Sequence, residues 1–514
     1  MKNLALVLLG LLAAVPAARS AEPEPDPGAT LTYFDAATNA TLDPVEPQSN
    51  SSVSQAALLA IYDPLVKLSD SGEALPGLAA SWSFNGDLTA FTMVLRPEVI
   101  FQDGTKVDAA AVVRNLRRSI DLGSRAGAST QELTSKIAGI EAKGTDTVVL
   151  RLKEPNGQIP FLLAMQPGMM ISPESLVEGA FGGTLKAVGA GPYRVRQFEA
   201  AVRTVMDRFD GYRGGNAGRP ASFVQQYVPD GRARLNAVRS GQATLSLLDT
   251  RQIDEAKAAG LTVQVNDRNT ITDLYVNAHR ATTGQLKVRQ ALMYAIDREA
   301  LVEALGGGVA RPTVQLFSPI SRMYDPELEK RFSHDPAKAR QLLTEAGFPN
   351  GVDINWLMSN TSETRTMAEA VQAMVAESGI RMKFDVVDIS QYVLFRRPPT
   401  RGDIFLGRWG GRADPLQVFQ EVAGSDGSVN AGGAATPEID ALIVKARGMR
   451  IGDPAREAIL HQLNRLTTEQ VSHVALMTRP NIYASRPGCV LNLTSYLNTG
   501  SDRFNDVRVG KGCK

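Results

Sequence analysis

The chain is poor in the residues that most often carry chemistry. Its 514 residues include four histidines, two cysteines and three tryptophans. His279, His334, His461 and His473 show no i, i+4 pair that would set two ligands on one helix face, so no metal and no cofactor is expected. Cys489 and Cys513 leave room for one disulfide at most. A charge excess is missing too: 55 basic residues face 54 acidic ones, for a net charge of +1, and no electrostatic footprint for nucleic acid shows. No second apolar stretch reaches the ~18 residues that a membrane-spanning helix needs. Repeats of roughly 20–50 residues are absent, and so are the GxxxxGK[ST], HExxH and GxSxG motifs. Gly189-Ala190-Gly191-Pro192-Tyr193-Arg194 starts like a dinucleotide fingerprint. It lacks the third glycine and places proline where a helix N-terminus must present an N–H, so it reads as a structural turn. Carboxylates are plentiful, but without geometry their pairing carries no information.

What is present is an ordinary globular composition, 43% hydrophobic and 21% charged, which excludes a wholly disordered or collagen-like chain. At about 100–200 residues per domain the length corresponds to two to four domains. Residues 1–20 read as a secretory signal peptide: Lys2 supplies the charge, residues 4–15 the apolar run, and Ala18 and Ser20 the small residues before cleavage. Cleavage after Ser20 would leave 53 basic against 54 acidic residues. No cysteine follows the apolar run, so the mature chain is expected to be exported without a lipid anchor. In an oxidising compartment Cys489 and Cys513 could pair; the alternative is two free thiols.

The body reads as mixed α and β. Asp335-Pro336 supplies an N-cap and a first-turn proline before a helix over 337–346, which Gly347 stops. Thr436-Pro437 and Asp453-Pro454 open two further helices. Val288, Leu292, Ala295 and Ile296 line one face of another, and Asp297 caps a short helix to Leu305. Strand patterns lie at 89–95, 145–152, 261–265, 272–276, 380–387 and 403–406. Strands interleaved with helices predict α/β lobes.

Four blocks share one resemblance. The first is Tyr62-Asp63-Pro64-Leu65-Val66, then Leu75-Pro76-Gly77-Leu78-Ala79-Ala80-Ser81-Trp82 and Phe101-Gln102-Asp103-Gly104-Thr105. The second is Val188-Gly189-Ala190-Gly191-Pro192-Tyr193 with Phe209-Asp210-Gly211-Tyr212. The third is Val288-Arg289-Gln290-Ala291-Leu292 with Tyr294-Ala295-Ile296-Asp297-Arg298-Glu299. The fourth runs over 337–348, with Met367-Ala368-Glu369 and the segment 409–415 beyond it. In order and spacing they resemble the family 5 extracellular solute-binding proteins of bacterial ABC importers, whose members include dipeptide-, oligopeptide- and nickel-binding proteins. Most matched residues read as structural. Gly104 and Gly191 suit turns, Trp82 suits a core, and Arg289 and Asp297 anchor and cap helices.

The resemblance implies an α/β fold of the two-lobe periplasmic binding protein type, class II-like. It would have a two-strand hinge and an extra subdomain in the first lobe. Lobe I would hold residues 30–269 and 477–514, with 61–166 as the inserted subdomain, and lobe II residues 270–476. The implied function is capture of a peptide or peptide-like solute, and its delivery to a permease and ATPase that are separate chains. The chain would be a periplasmic monomer that performs no reaction, contacts no nucleic acid and meets the membrane only through the permease. An exported hydrolase or peptidase, and a nickel- or haem-binding member of the family, are the alternatives.

In the dipeptide binders an aspartate three residues after the tryptophan of the 409–415 segment pairs with the ligand's amino group, and an arginine some nine residues before the Met-Ala-Glu stretch holds its carboxylate. The corresponding positions here are Arg412 and Met358, with Ser359 and Asn360 following. The implied ligand wall therefore comprises Trp409, Arg412, Asp414, Asn360 and Met358, with Ser51 and Ser52 from the other lobe. An enclosed arginine needs an anion, so Arg412 either holds an acidic group of the ligand or makes an internal salt bridge, for instance with Asp414. Trp409 either stacks on ligand or packs in the core, and Ser51 and Ser52 either face the cleft or form a plain loop.

Overall fold

The computed structural model describes residues 23–36, 40–50, 52–176, 186–388, 391–392, 401–427, 434–496 and 501–513. Residues 1–20 and Ser51 lie outside the described residues. Strand β1 (Thr30–Asp35) opens the chain's first sheet. Beyond a short hairpin of Val66–Leu68 with Ala74–Pro76, strands β2 (Ala79–Phe84), β3 (Ala90–Leu95), β4 (Ile137–Lys143) and β5 (Thr147–Leu152) form an antiparallel sheet of their own in the order β2-β3-β5-β4. The chain then returns to β1 with β6 (Tyr193–Glu199), β7 (Arg203–Arg208), β8 (Ser222–Tyr227), β9 (Leu245–Leu247) and β10 (Thr262–Asn266). A second sheet is built from β11 (Thr270–Val276), β12 (Val352–Ser359), β13 (Ile380–Val387), β14 (Ile404–Gly410) and β15 (His473–Thr478), in the order β13-β12-β14-β11-β15. Strand β16 (Asn481–Ser485) completes the first, seven-stranded sheet, in the order β10-β16-β9-β1-β8-β7-β6.

Side-chain alternation explains each sheet. In β3 and β5, Phe91, Met93, Leu95, Val148, Leu150 and Leu152 point to one face and bury against helix α2 (Ala109–Leu122). That helix is capped by Asp108, which accepts from the Ala111 N–H at 2.8 Å. Trp82 lies half-buried against the same core. Strand β11 is buried along its whole length, so both of its faces pack inward: Leu274 and Val276 enter one core, Ile271 and Tyr275 the other. Strand β12 pairs parallel with both β13 and β14, and the helix Ser362–Ala376 makes the crossover between β12 and β13.

The predicted helices sit where their caps are. Helix α1 (Ser52–Ile61) packs with Tyr33, Tyr193 and Phe223 of the first sheet, and α3 (Ala128–Lys136) packs on the four-stranded unit. Helix α4 (Leu286–Ala295) is held by Arg289, whose guanidinium donates to the carbonyls of Gln470, Thr283 and Gly284. Asp297 caps α5 (Arg298–Leu305), and Asp335 caps α6 (Pro336–Glu345). Thr361 caps α7 (Ser362–Ala376). Asp414, Thr436 and Asp453 precede the first-turn prolines of α8 (Pro415–Val422), α9 (Pro437–Arg447) and α10 (Pro454–Gln470).

The two large sheets are joined by two short crossings, residues 267–269 and 479–480. The C-terminal tail returns to the first sheet: buried Asp502 accepts from Asn266, Asn481, Tyr483 and Ser495. Gly189 and Gly191 do not cradle phosphate. A Cβ there would meet the carbonyl oxygens of Ile61 at 2.2 Å and Ala60 at 2.6 Å, so glycine permits the close passage over α1. His473 is a satisfied interior histidine, 2.5 Å from Asp273. Among the described residues no group of three or more His, Cys, Asp or Glu side chains is placed to hold a metal ion.

Cys489 and Cys513 form a disulfide that closes a loop with a sequence separation of 24. Replacing both with serine is expected to cost about 3 kcal/mol through the lost loop constraint. The measurement is the urea midpoint of the double variant against the oxidised parent.

Candidate ligand-binding site

Ligands of open α/β sheets settle at the carboxyl ends of the strands. In the five-stranded sheet those ends, for parallel β12 and β14, carry Ser359-Asn360 and Trp409-Gly410-Gly411-Arg412. The Gly411 N–H donates to the carbonyl of Asn269 at 2.6 Å, which ties the end of β14 to the crossing between sheets. The chain then turns into α8 through a capping box made by Asp414 and Gln417. Asp414, Gln417 and Glu421 fall at i, i+3 and i+7, so one helix face presents all three.

The structure supplies partners within the chain for most of the wall that the sequence implied. Arg412 grips Glu421 in bidentate fashion, Nε to Oε1 at 2.6 Å and Nη2 to Oε2 at 2.7 Å, and its Nη1 donates to the Gly410 carbonyl at 3.1 Å. The salt-bridge partner is therefore Glu421, not Asp414. Trp409 is 2% exposed and packs among Phe405, Leu416 and Phe419. Its ring face is covered by the Arg412 guanidinium, 4.8 Å from the ring centre, so a ligand cannot stack on that face while Arg412 stays in place.

Asp414 and Met358 need correction. Asp414 has no exposed surface: its Oδ2 receives Arg456 Nη2 at 2.5 Å and Gln158 Nε2 at 2.9 Å. Arg456 is equally buried. The pair is a structural lock, because an ionised carboxylate without a partner could not be buried there. Met358 is fully buried beside Ile354, Trp356 and Ile404, since strand alternation turns it into the core and away from the strand end. Asn360 is exposed, and its amide donates to Asp388 at 3.0 Å. Ser52 is the first residue of α1, and Ser51 lies outside the described residues.

Sequence reasoning missed the groups that face this wall. Gln417 donates to Glu132 of α3 at 3.0 Å, and Gln158 also bonds Gln420 at 3.2 Å. Gly157 donates to the Arg447 carbonyl at 3.0 Å, where a Cβ on Gly157 would meet the Met449 oxygen at 2.2 Å. The four-stranded unit thus rests directly on α8 and α9. Burial first, and the charge of Glu421 second, push the Glu132 carboxyl up to about 7, while Gln417, Arg412 and Lys136 oppose the rise. Beside the crossing, Glu363 of α7 receives both Arg408 and Arg479. Burial pushes its carboxyl up, but the two guanidiniums prevail and hold it at about 2. The i, i+3, i+7 stripe of α8 was a readable signal for Glu421. Nothing local marked Glu132, which is 285 residues from its partner.

A wall at paired strand ends, two short crossings and a second unit resting on that wall define a two-lobe solute-binding architecture, and comparison with known proteins agrees. The model for bacterial extracellular solute-binding proteins, family 5, middle region, matches residues 73–430. The chain belongs to the family 5 bacterial extracellular solute-binding proteins. The glutathione-binding protein GsiB of Salmonella paratyphi A (strain ATCC 9150 / SARB42) is 29% identical over 357 residues, 68% of each chain. The periplasmic binding protein DppA from Helicobacter pylori, in complex with peptide STSA, superposes with a TM-score of 0.82 at 21% identity, over 94% of this chain and 98% of that one. AgaA from A.tumefacien R10, in complex with agropinic acid, gives 0.80 at 24% identity, over 94% and 99%. NikA from Brucella suis, in complex with Fe(III)-EDTA, gives 0.82 at 21% identity, over 94% and 100%. The protein is the substrate-binding component of an ABC importer system and not an enzyme.

Two outcomes are expected. Asp414→Ala leaves Arg456 charged and unpaired, and should cost about 3–5 kcal/mol, read as a fall in the urea midpoint. For Glu132 the sign follows from a packed carboxyl at about 7 against an ordinary 4.5. Below the lower value it is neutral in packed and unpacked states alike. As pH rises through the interval the packed state is progressively penalised, and the penalty levels off above the upper value. Glu132→Gln should therefore raise the melting temperature at about pH 8 and leave it unchanged at about pH 4.

Proposed function

We propose that this chain captures a peptide or peptide-like solute between two lobes and hands it to a membrane permease driven by a separate ATPase. Lobe I would be residues 30–269 and 477–514, with 61–166 as its inserted part, and lobe II residues 270–476. The two crossings, 267–269 and 479–480, would act as the hinge. Export to the periplasm would be directed by residues 1–20.

The observation that carries the reading is the apposition of Trp409, Arg412 and Glu421 with Glu132 on the opposite unit. A solute touching both sides favours the closed arrangement over the open one, which is the condition for ligand-driven closure. The Arg412–Glu421 pair offers both a cationic and an anionic edge. That suits the termini and amides of a peptide, and it removes the need for a strongly acidic ligand. The binding of glutathione by GsiB and of peptide STSA by the H. pylori DppA point to the same class.

The test is mass spectrometry of solute released from the purified chain by denaturation, followed by calorimetry with that solute, glutathione and di- to tetrapeptides. Arg412→Ala should weaken binding at least about tenfold. Unchanged affinity would take Arg412 out of the ligand wall, and turnover of any peptide would overturn the binding-only role.

A further inference from the structure

After β5, the loop 154–158 leaves the four-stranded unit and reaches α8 and the end of α9. Its root is pinned to its own unit: the Asn156 N–H donates to the Leu88 carbonyl at 3.1 Å, and Asn156 Oδ1 accepts from the Gln158 N–H at 2.8 Å. Its outward groups bond across the junction. The Gln158 amide donates to Asp414 and exchanges bonds with the Gln420 amide, at 3.2 and 3.3 Å. The Gly157 N–H donates to the Arg447 carbonyl, and Glu154 receives Arg447 Nη2 at 3.1 Å. Nearby, Arg450 Nη2 donates to the Asn85 carbonyl at 3.3 Å. Ala413, 1% exposed, and Ile451 pack into the core of the four-stranded unit.

The four-stranded unit is itself fastened on the side of the first sheet. Arg118 of α2 pairs with buried Asp43, and Gln102 donates to the carbonyls of Ile61 and Tyr193 at 3.0 and 2.7 Å. A rotation that separates the two large sheets about the crossings must therefore part the loop 154–158 from α8 and α9. The contact suits parting. Its amide and backbone bonds can be taken over by water, and polar junctions of this kind are typical of units that move against each other. Asp414 keeps Arg456 when Gln158 departs, so no buried charge is stranded. Gly157 shows that the seat is nevertheless specific. A Cβ there would meet the Met449 oxygen at 2.2 Å, yet its backbone lies outside the left-handed region that favours glycine. Glycine is required by the docked contact and not by the loop's own conformation.

We infer that the loop 154–158 is a latch: it seats on α8 and α9 when the two sides close, and it releases when they open. The inference rests on the two-lobe reading above. The latch acts without touching solute. Solute binds productively only to the closed arrangement, so any factor by which the latch raises the closed population raises the apparent affinity by the same factor while the open form predominates. Affinity is then set in two separate places: the wall at Trp409 and Arg412 chooses the solute, and the seat of Gly157 and Gln158 tunes how tightly any solute is held.

The test measures the gap across the seam in the full chain, by pulsed dipolar spectroscopy between spin labels on Lys143→Cys and Val444→Cys. Both positions are exposed, and Cys489 and Cys513 are paired with each other and take no label. The chain is refolded from denaturant to free it of solute. The labelled chain should populate a short distance. Gly157→Ala should shift the population at least about tenfold toward a longer one. Glu154→Arg, which sets two guanidiniums against each other, should shift it the same way by at least about threefold, and adding Arg447→Glu should restore the short distance. A labelled chain with the longer distance alone, an unchanged distribution in Gly157→Ala and Glu154→Arg, or no recovery in the charge-swapped pair would overturn the latch. Should Gly157→Ala fail to fold, the charge swap decides. The readout needs no solute, so a failed Arg412→Ala titration leaves it standing, and a failed latch leaves the solute wall to its own calorimetry.

Discussion

Much of this molecule turns on one carboxylate. Asp414 begins α8 by capping its first turn, neutralises the fully buried Arg456 of α10, and accepts from Gln158 on the four-stranded unit. A group with any one of these tasks would be replaceable. With all three, it fixes the end of β14, the packing of α10 and the seat of the neighbouring unit together. The burial of an ion pair is not itself a source of large stability. Its consequence is specificity: only the arrangement that brings Arg456 and Gln158 to Asp414 avoids stranding a charge.

The charges around that lock are arranged by mutual compensation. Arg412 is matched by Glu421, and Arg408 and Arg479 share Glu363. Glu132 is the exception, raised because it is buried near another carboxylate. The junction between units therefore holds a group whose charge state depends on how closely the units approach. A solute-binding protein works through the free-energy difference between closed and open arrangements, and ionisable groups at the junction enter that difference directly. Arg412 carries its own counter-ion, so the end of β14 is dipolar rather than cationic.

The α/β alternation was legible residue by residue. Asp335-Pro336, Thr436-Pro437 and Asp453-Pro454 marked helix starts because a side-chain acceptor before a proline satisfies first-turn N–H groups in any context. Val148, Leu150 and Leu152 marked a core face because strand side chains alternate with a period of two. The likeness to family 5 rested on such structural residues.

The site was less legible. Met358 stood at the right distance from its neighbours in the chain, yet the pleat turned it inward. Asp414 looked like a ligand group and became a buried lock. Local spacing decided the helices, their caps, the strand faces and the family, because all of these arise from contacts between residues a few positions apart. Tertiary structure alone decided which anion Arg412 holds, what Asp414 neutralises, and that Glu132 meets Gln417 across 285 residues. A charge finds its partner by proximity in the folded chain, and residue order does not encode that distance.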